Sequence, residues 1–557
     1  MRPNASGAHA PRFERRVGDI RLVAFTFAVT SILIAFRLFD SVIDRVGRLP
    51  ADAYRGAMFL DDLAGRWLEL AVRYSTWLAA AVAIAAVAGW FLRRRFPGTL
   101  RSRMVALVAD WTVLEDGPAL RWLVVAISGV VTWVLTLYPR NLYFDQSHFA
   151  DRSILLLLWA AIIWRPAMVF CFAIAASAVA GQFTVPLGFI TWTEMSVLMR
   201  FPVLFGAFWV VRAVTGERRS DAFIFTWCCS LATTYWLSGL GKLQVDWMTH
   251  PHVALLLPAA HANGWLAGVG TASIDGAARM LDRVARPMML FTLIVECGAI
   301  LLLWKRWSLV VFLVLAATFH TAAFAMTGIF FWKWMLVDAC LLGYLLRRHR
   351  LARLSFFTPA HFVLSIVVIL ASPLWVHSEN LTWFDTSLTY SLRFAGIDQR
   401  GNVLELPAGA FRPYSDAIVL GTFAAVSPHV RLTGAMGVTK NRSLAEALVS
   451  ARTPDDVLAM EATRGTVPTP DVAQVAAFDD FIGRYGRNLR CRTRRDPLLI
   501  RMASAPRHLW TFPLDAALPC DVSLVMVRVT EVTSFFDGKH SRVIRSRVLR
   551  EVPAADR

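Results

Sequence analysis

Three apolar blocks, almost touching along the chain, decide how it is read: MMLFTLIVECGAILLLW at 288–304, LVVFLVLAATFHTAAFAM at 309–326 and FFWKWMLVDACLLGYLL at 330–346. Each approaches the ~20 mostly apolar residues that carry a helix across a bilayer core. The links between them are so short that consecutive helices must run antiparallel. Working outward, similar blocks recur at 20–36, 68–92, 120–137, 223–240 and 362–376, with a shorter one at 201–214. The block 153–180 is too long for one span and is interrupted by Arg165-Pro166. Proline cannot continue the hydrogen-bond ladder, so the block divides into two short helices. The expectation is an all-α polytopic membrane bundle of about 11 spans over residues 20–376, followed by a mixed α+β soluble domain. A content of 56% hydrophobic residues with 21 Trp calls for lipid as the solvent.

The net charge of +18 is carried almost wholly by arginine, since Lys242, Lys305, Lys333, Lys440 and Lys539 are all the lysines there are. The arginines cluster between apolar blocks: Arg93–Arg95, Arg212 with Arg218 and Arg219, Arg306 beside Lys305, and Arg347 to Arg353. Such clusters anchor spans on the cytoplasmic side and do not point to nucleic acid. With eleven spans they all fall on one side. Residues 1–19 are then cytoplasmic and 377–557 extracytoplasmic, in a multi-pass protein of a bacterial inner membrane. The polar start of the chain lacks a small-residue cleavage site, so the first helix reads as uncleaved.

In the soluble domain, Thr453-Pro454-Asp455-Asp456 opens a helix, with Thr as the N-cap, Pro in the first turn and acids at the positive end of the dipole. Thr469-Pro470-Asp471 repeats the signature before 472–485. The segments 522–529 and 543–548 alternate like strands, and Asp537-Gly538 between them suggests a hairpin. No nucleotide loop, metal spacing or hydrolytic motif is present. Cys491 and Cys520, both on the exported side, can pair as a disulfide. The domain suits binding of an exported protein or peptide partner.

Ionisable groups within spans are expensive and mark function by default. Lys242 closes its span at the outer rim, Glu296 and His320 lie in the next two, and Lys333 and Asp338 follow. Counted along their helices, these groups share the outer half of the bilayer. Each has a bland reading as well: Lys242 snorkels to headgroups, Glu296 and His320 lock two helices, and Lys333 anchors between Trp332 and Trp334.

The order Tyr235-x3-Gly239-x2-Lys242-Leu243-x3-Trp247, then Glu296, then His320, then Gly328-Ile-Phe-Phe-Trp332, resembles the horizontally transferred transmembrane (HTTM) domain. That domain forms the membrane part of vitamin K-dependent γ-glutamyl carboxylases. The resemblance covers roughly residues 20–376. It implies a catalytic lysine, Lys242, acting as base on a reduced quinone such as vitamin K hydroquinone, with His320 and Glu296 beside it. Desolvation would make such an amine a usable base. One departure stands out: Arg152-Ser153 occupies the place where the carboxylases carry a histidine. Three functions therefore compete. They are an HTTM-type protein in the maturation of exported proteins, a quinone-linked carboxylase- or epoxidase-like enzyme, and a transporter using buried charge. No inverted repeat supports the last.

Overall fold

Long apolar stretches become helices because hydrocarbon offers no partner to backbone N–H and C=O groups. The structure, a computed structural model, describes residues 100–138, 140–143, 149–181, 193–244, 247–347, 350–374, 386–420, 426–434, 437, 439, 441–468, 472–489, 502–512 and 522–554. The expected spans at 20–36 and 68–92, the cap at 469–471, and Cys491 and Cys520 lie outside these residues. The helical part runs α1 (Leu100–Leu107), α2 (Gly117–Thr136), α3 (Phe149–Ile162), α4 (Met168–Gly181), α5 (Thr193–Thr215), α6 (Asp221–Gln244), α7 (His252–Ala262), α8 (Thr271–Gly298), α9 (Arg306–Thr327), α10 (Trp332–Leu346) and α11 (Pro359–Leu370).

Among the described residues, four stretches are long and apolar enough to cross a membrane: Gly117–Thr136, Leu198–Thr215, Thr271–Leu301 and Arg306–Thr327. Eleven full crossings are not found among the described residues: four expected spans are too short, and α6, although 24 residues long, is not apolar enough. Helices α3 and α4 have 14 residues each, α10 has 15 and α11 has 12. At 1.5 Å per residue they reach only about 18–23 Å, against a core of about 30 Å. The break at Arg165-Pro166 falls where the proline put it, between Ile162 and Met168. Helix α8 starts far earlier than Met288. Its first half is amphipathic, burying Ile274, Ala278 and Ala285 while exposing Arg279, Asp282, Arg283 and Arg286. Pro287 separates it from the apolar half.

Aromatic packing joins the centre of the bundle. Phe201 of α5 meets Trp227 of α6 edge-on at 4.8 Å, and Phe205 meets Phe223 at 5.4 Å. At one end, Asp116 before α2 ties three segments together. Its Oδ2 accepts from the Ser220 hydroxyl just before α6 and, at 3.0 Å, from the Tyr344 hydroxyl of α10. Basic loop residues gather at this end, where Arg219 donates to the Arg353 carbonyl at 3.3 Å and Arg306 to that of Leu354 at 3.5 Å.

The other end carries the C-terminal domain. Its antiparallel sheet is ordered β2-β1-β3-β4, with β1 (Leu388–Asp398), β2 (Val403–Leu406), β3 (Leu524–Phe536) and β4 (Ser541–Pro553). The hairpin at Asp537-Gly538 is present, with Gly538 at φ +89 and Asp537 Oδ1 accepting from the Lys539 and His540 amides at 2.7 Å. Phe535 enters a core with Leu388, Tyr390, Leu444, Leu448 and Val457, under α12 (Arg442–Ser450) and α13 (Pro454–Arg464). The next residue, Phe536, points to the opposite face and packs on Leu255 of α7 and Ala278 of α8. Helix α14 (Val472–Asn488) brings Phe478, Phe481 and Tyr485 into the same core as Phe394.

The composition shift near residue 376 is therefore not a boundary between two loosely tethered bodies. Asp275 of α8 accepts from the Ser541 amide at 3.1 Å and its hydroxyl at 2.7 Å. Asn141 donates to the Tyr414 hydroxyl at 2.9 Å, and Tyr143 to Asp480 at 2.9 Å. Phe512 donates its amide to the Gly264 carbonyl at 2.8 Å. Among the described residues, the domain is thus held to the bundle at several separate points.

Helix α13 begins at the expected Thr453 N-cap, and the structure makes it a full capping box. Thr453 Oγ1 accepts from the Asp456 amide, and Asp456 accepts from the amides of Thr453 and Arg452. Those two amides hold the Asp456 carboxyl below the usual carboxylate range. The depressed value makes the cap complete above the unfolded-state carboxylate pKa, and it is lost as pH falls through the folded value. Thr453→Ala should cost about 0.5–2 kcal/mol locally, read as faster hydrogen exchange over 452–458. Unchanged protection would show that the box contributes nothing.

Candidate functional site

Helix α6 presents Tyr235, Gly239 and Lys242 on one face, because seven residues make nearly two whole turns. Gly239 is there for closeness. A Cβ at that position would stand 2.7 Å from Cys297 Sγ and 3.0 Å from Glu296 Cβ, so only glycine lets α8 approach this far. The approach brings Glu296 against Lys242. The ammonium lies 2.7 Å from Oε1 and 2.8 Å from Oε2, with the residues 7% and 3% exposed. Lys242 does not snorkel; it turns inward and spends its charge on a carboxylate. Trp247 covers it from one side, with the ammonium 5.5 Å from the ring centroid. His252 stacks on that indole at 4.7 Å.

Two turns back along α6, Tyr235 holds a second group. Its hydroxyl lies 2.8 Å from His320 Nε2 of α9 and 3.3 Å from Asp338 Oδ2 of α10. All three side chains are buried. When the phenol donates to Asp338, the imidazole N–H donates to the phenol oxygen. A proton can therefore pass along His320, Tyr235 and Asp338 by switching hydrogen bonds. Asp338 Oδ1 and His320 Nδ1 have no hydrogen-bond partner among the described residues.

The three residues singled out from the sequence are all buried, but they do not form one cluster. Glu296 pairs with Lys242, not with His320, and His320 pairs with Tyr235. The reason is placement: α8 meets α6 at the level of Gly239 and Lys242, and α9 meets it nearer Tyr235. Lys333, expected as an interface anchor, is buried as well, 5.9 Å from the centroid of Trp332. Arg152 is 5% exposed and lies 4.0 Å over the Tyr138 ring, apart from both groups. Tyr235 belongs to the sequence motif, but the sequence assigns it no role. Its seven-residue spacing from Lys242 is the signal that places both on one face.

The C-terminal domain closes over this region. Gly328 ends α9 at φ +72, a left-handed conformation suited to glycine. A side chain there would also strike Trp265 at 2.7 Å. The loop that follows forms a short bridge with residues 508–510. Phe330 donates to the His508 carbonyl at 2.6 Å and Trp510 to that of Gly328 at 2.9 Å. The Phe331 ring lies 4.8 Å from His320 and 5.3 Å from His508. His320 is seven residues from the end of α9 and Asp338 six from the start of α10. Both are thus about 10 Å below this cap. Among the described residues, no group of three or more His, Cys, Asp and Glu side chains is placed to hold a metal ion.

No protein-family model matches the chain, and neither a curated protein nor a solved structure matches it.

Removing one member of a buried ion pair strands the other in a low-dielectric interior, at a cost of about 3–5 kcal/mol. Lys242→Met and Glu296→Leu should each lower the thermal midpoint of the solubilised protein sharply. The double variant should recover most of the loss, since neither charge is then stranded. Additive losses in the double variant would show that the pair does not act as a unit.

Proposed function

We propose that this chain is a multi-pass membrane protein of the HTTM type that serves in the maturation of exported proteins. In this reading the C-terminal domain receives the partner, and the buried groups beneath it do the chemistry. The observation that carries the proposal is the docking itself: residues 508–510 bridge the loop directly above the His320–Tyr235–Asp338 chain. A binding domain held on top of a buried proton-transfer chain suits action on the partner it holds. The basic loops at the opposite end support a cytoplasmic assignment for that end and an extracytoplasmic one for the domain.

The quinone-linked carboxylase reading needs Lys242 as a free amine. The residues as placed do not fit that need. An ammonium shared between both oxygens of one buried carboxylate is a held cation, and loss of its proton would leave Glu296 stranded. No step through a quinone follows from this arrangement. The alternative use of Lys242 is as a fixed positive charge that keeps α6 and α8 in register beside Tyr235.

The test is complementation of a strain lacking the protein, with the masses of exported proteins as the readout. Wild type should restore a mass shift in a subset of them, and Lys242→Ala and Tyr235→Phe should not. Lys242→Arg, which keeps a charge that Glu296 can hold, should restore it in part; a general base would fail completely as arginine. Identical exported masses with and without the protein would overturn the maturation reading.

A further inference from the structure

Between α9 and α10 a groove opens on the outer surface of the bundle, with a volume of about 610 Å³. Most of its wall is small or apolar, including Ala317, Thr321, Ala322 and Ala325 on α9 and Ala339 on α10. Helix α9 is the least covered of the candidate spans, with 28% of its most apolar stretch buried inside the protein, and in the membrane reading this surface faces lipid. One lining residue breaks the pattern. Asp338 is 2% exposed, and its Oδ1 has no hydrogen-bond partner among the described residues. Its other oxygen receives the Tyr235 hydroxyl. An acceptor left unmet in hydrocarbon is costly, and water is scarce at this depth.

We propose that this groove seats a single-chain lipid alcohol, which enters sideways from the bilayer and donates its hydroxyl to Asp338 Oδ1. The inference rests on the reading above that the buried chain does chemistry, and it gives that chain a lipid-phase ligand. Three features select the occupant. The unmet atom is an acceptor, so the ligand must bring a donor. The wall is otherwise apolar, so the rest of the ligand is hydrocarbon. The groove is also slender: from Leu313 to Ala325 it follows α9 for about 18 Å. Its volume then corresponds to a mean cross-section of about 34 Å². A single hydrocarbon chain fits this cross-section.

The hydroxyl would complete a line from ligand through Asp338 and Tyr235 to His320. No covalent step is required for the binding itself.

The experiment uses the full chain in lipid nanodiscs and a diazirine-bearing hexadecanol as photoprobe, with labelled peptides mapped by mass spectrometry. Label should fall on α9 and α10, and hexadecanol should compete about five-fold or more better than its methyl ether or hexadecane, because only the alcohol satisfies the buried acceptor. Ala322→Trp should abolish labelling by filling the groove. Asp338→Leu should erase the preference for the alcohol. Labelling is read on the wild-type chain with no exported partner present, so failure of the complementation test and failure of this one are separate results. Equal competition by ether and alkane, or undiminished label in Ala322→Trp, would overturn the proposal. So would a crosslink between α9 helices of two copies in place of the lipid label.

Discussion

A charge carried into a low-dielectric interior must bring its counter-charge with it, and the Lys242–Glu296 pair is where this chain meets that constraint. The pair cannot form unless α6 and α8 lie unusually close, and Gly239 is what allows them to. Once the two helices are fixed at that contact, Tyr235 is fixed two turns away, and the positions of His320 and Asp338 follow from its hydroxyl. Much of the polar interior thus depends on one glycine and one ion pair. The pair is also a register device: sliding α6 by one turn would strand both charges.

The sequence is most informative where one physical signal acts alone. The block 309–326 becomes Arg306–Thr327 because its apolar run carries the helix without interruption until Gly328 stops it. The Thr453 cap and the Asp537-Gly538 turn are readable because their chemistry is local. Strand β1 is not legible in this way. Its Tyr390, Ser391 and Arg393 do not alternate cleanly, since both of its faces are covered, one by the far-side helices and one by α7. The start of α8 escapes hydropathy because its first half is amphipathic and serves the domain interface.

The site divides in the same way. Burial of Lys242, Glu296, His320 and Asp338 is legible from their place in apolar blocks. Which of them touch is not, because partner choice depends on helix rotation and on where two axes cross. A one-residue change in rotation would aim Glu296 elsewhere. The role of Tyr235 is hidden for a different reason: a tyrosine in a span is ordinary at an interface, and only a neighbouring helix reveals whether its hydroxyl is used. The docking of the C-terminal domain is also invisible in the sequence, because its contacts are scattered hydrogen bonds from Asn141 to Ser541 and isolated apolar contacts such as Phe536 on Leu255.

If the basic loops face the cytoplasm, the buried groups lie close to the extracytoplasmic side, beneath a domain that is exported with the chain. The most direct test is a reporter fused after residue 557 that is active only when it leaves the cytoplasm. Full reporter activity is expected, with Lys539 on the hairpin open to a membrane-impermeant amine reagent in intact cells. An inactive reporter together with a shielded Lys539 would put the domain on the cytoplasmic side and contradict this arrangement.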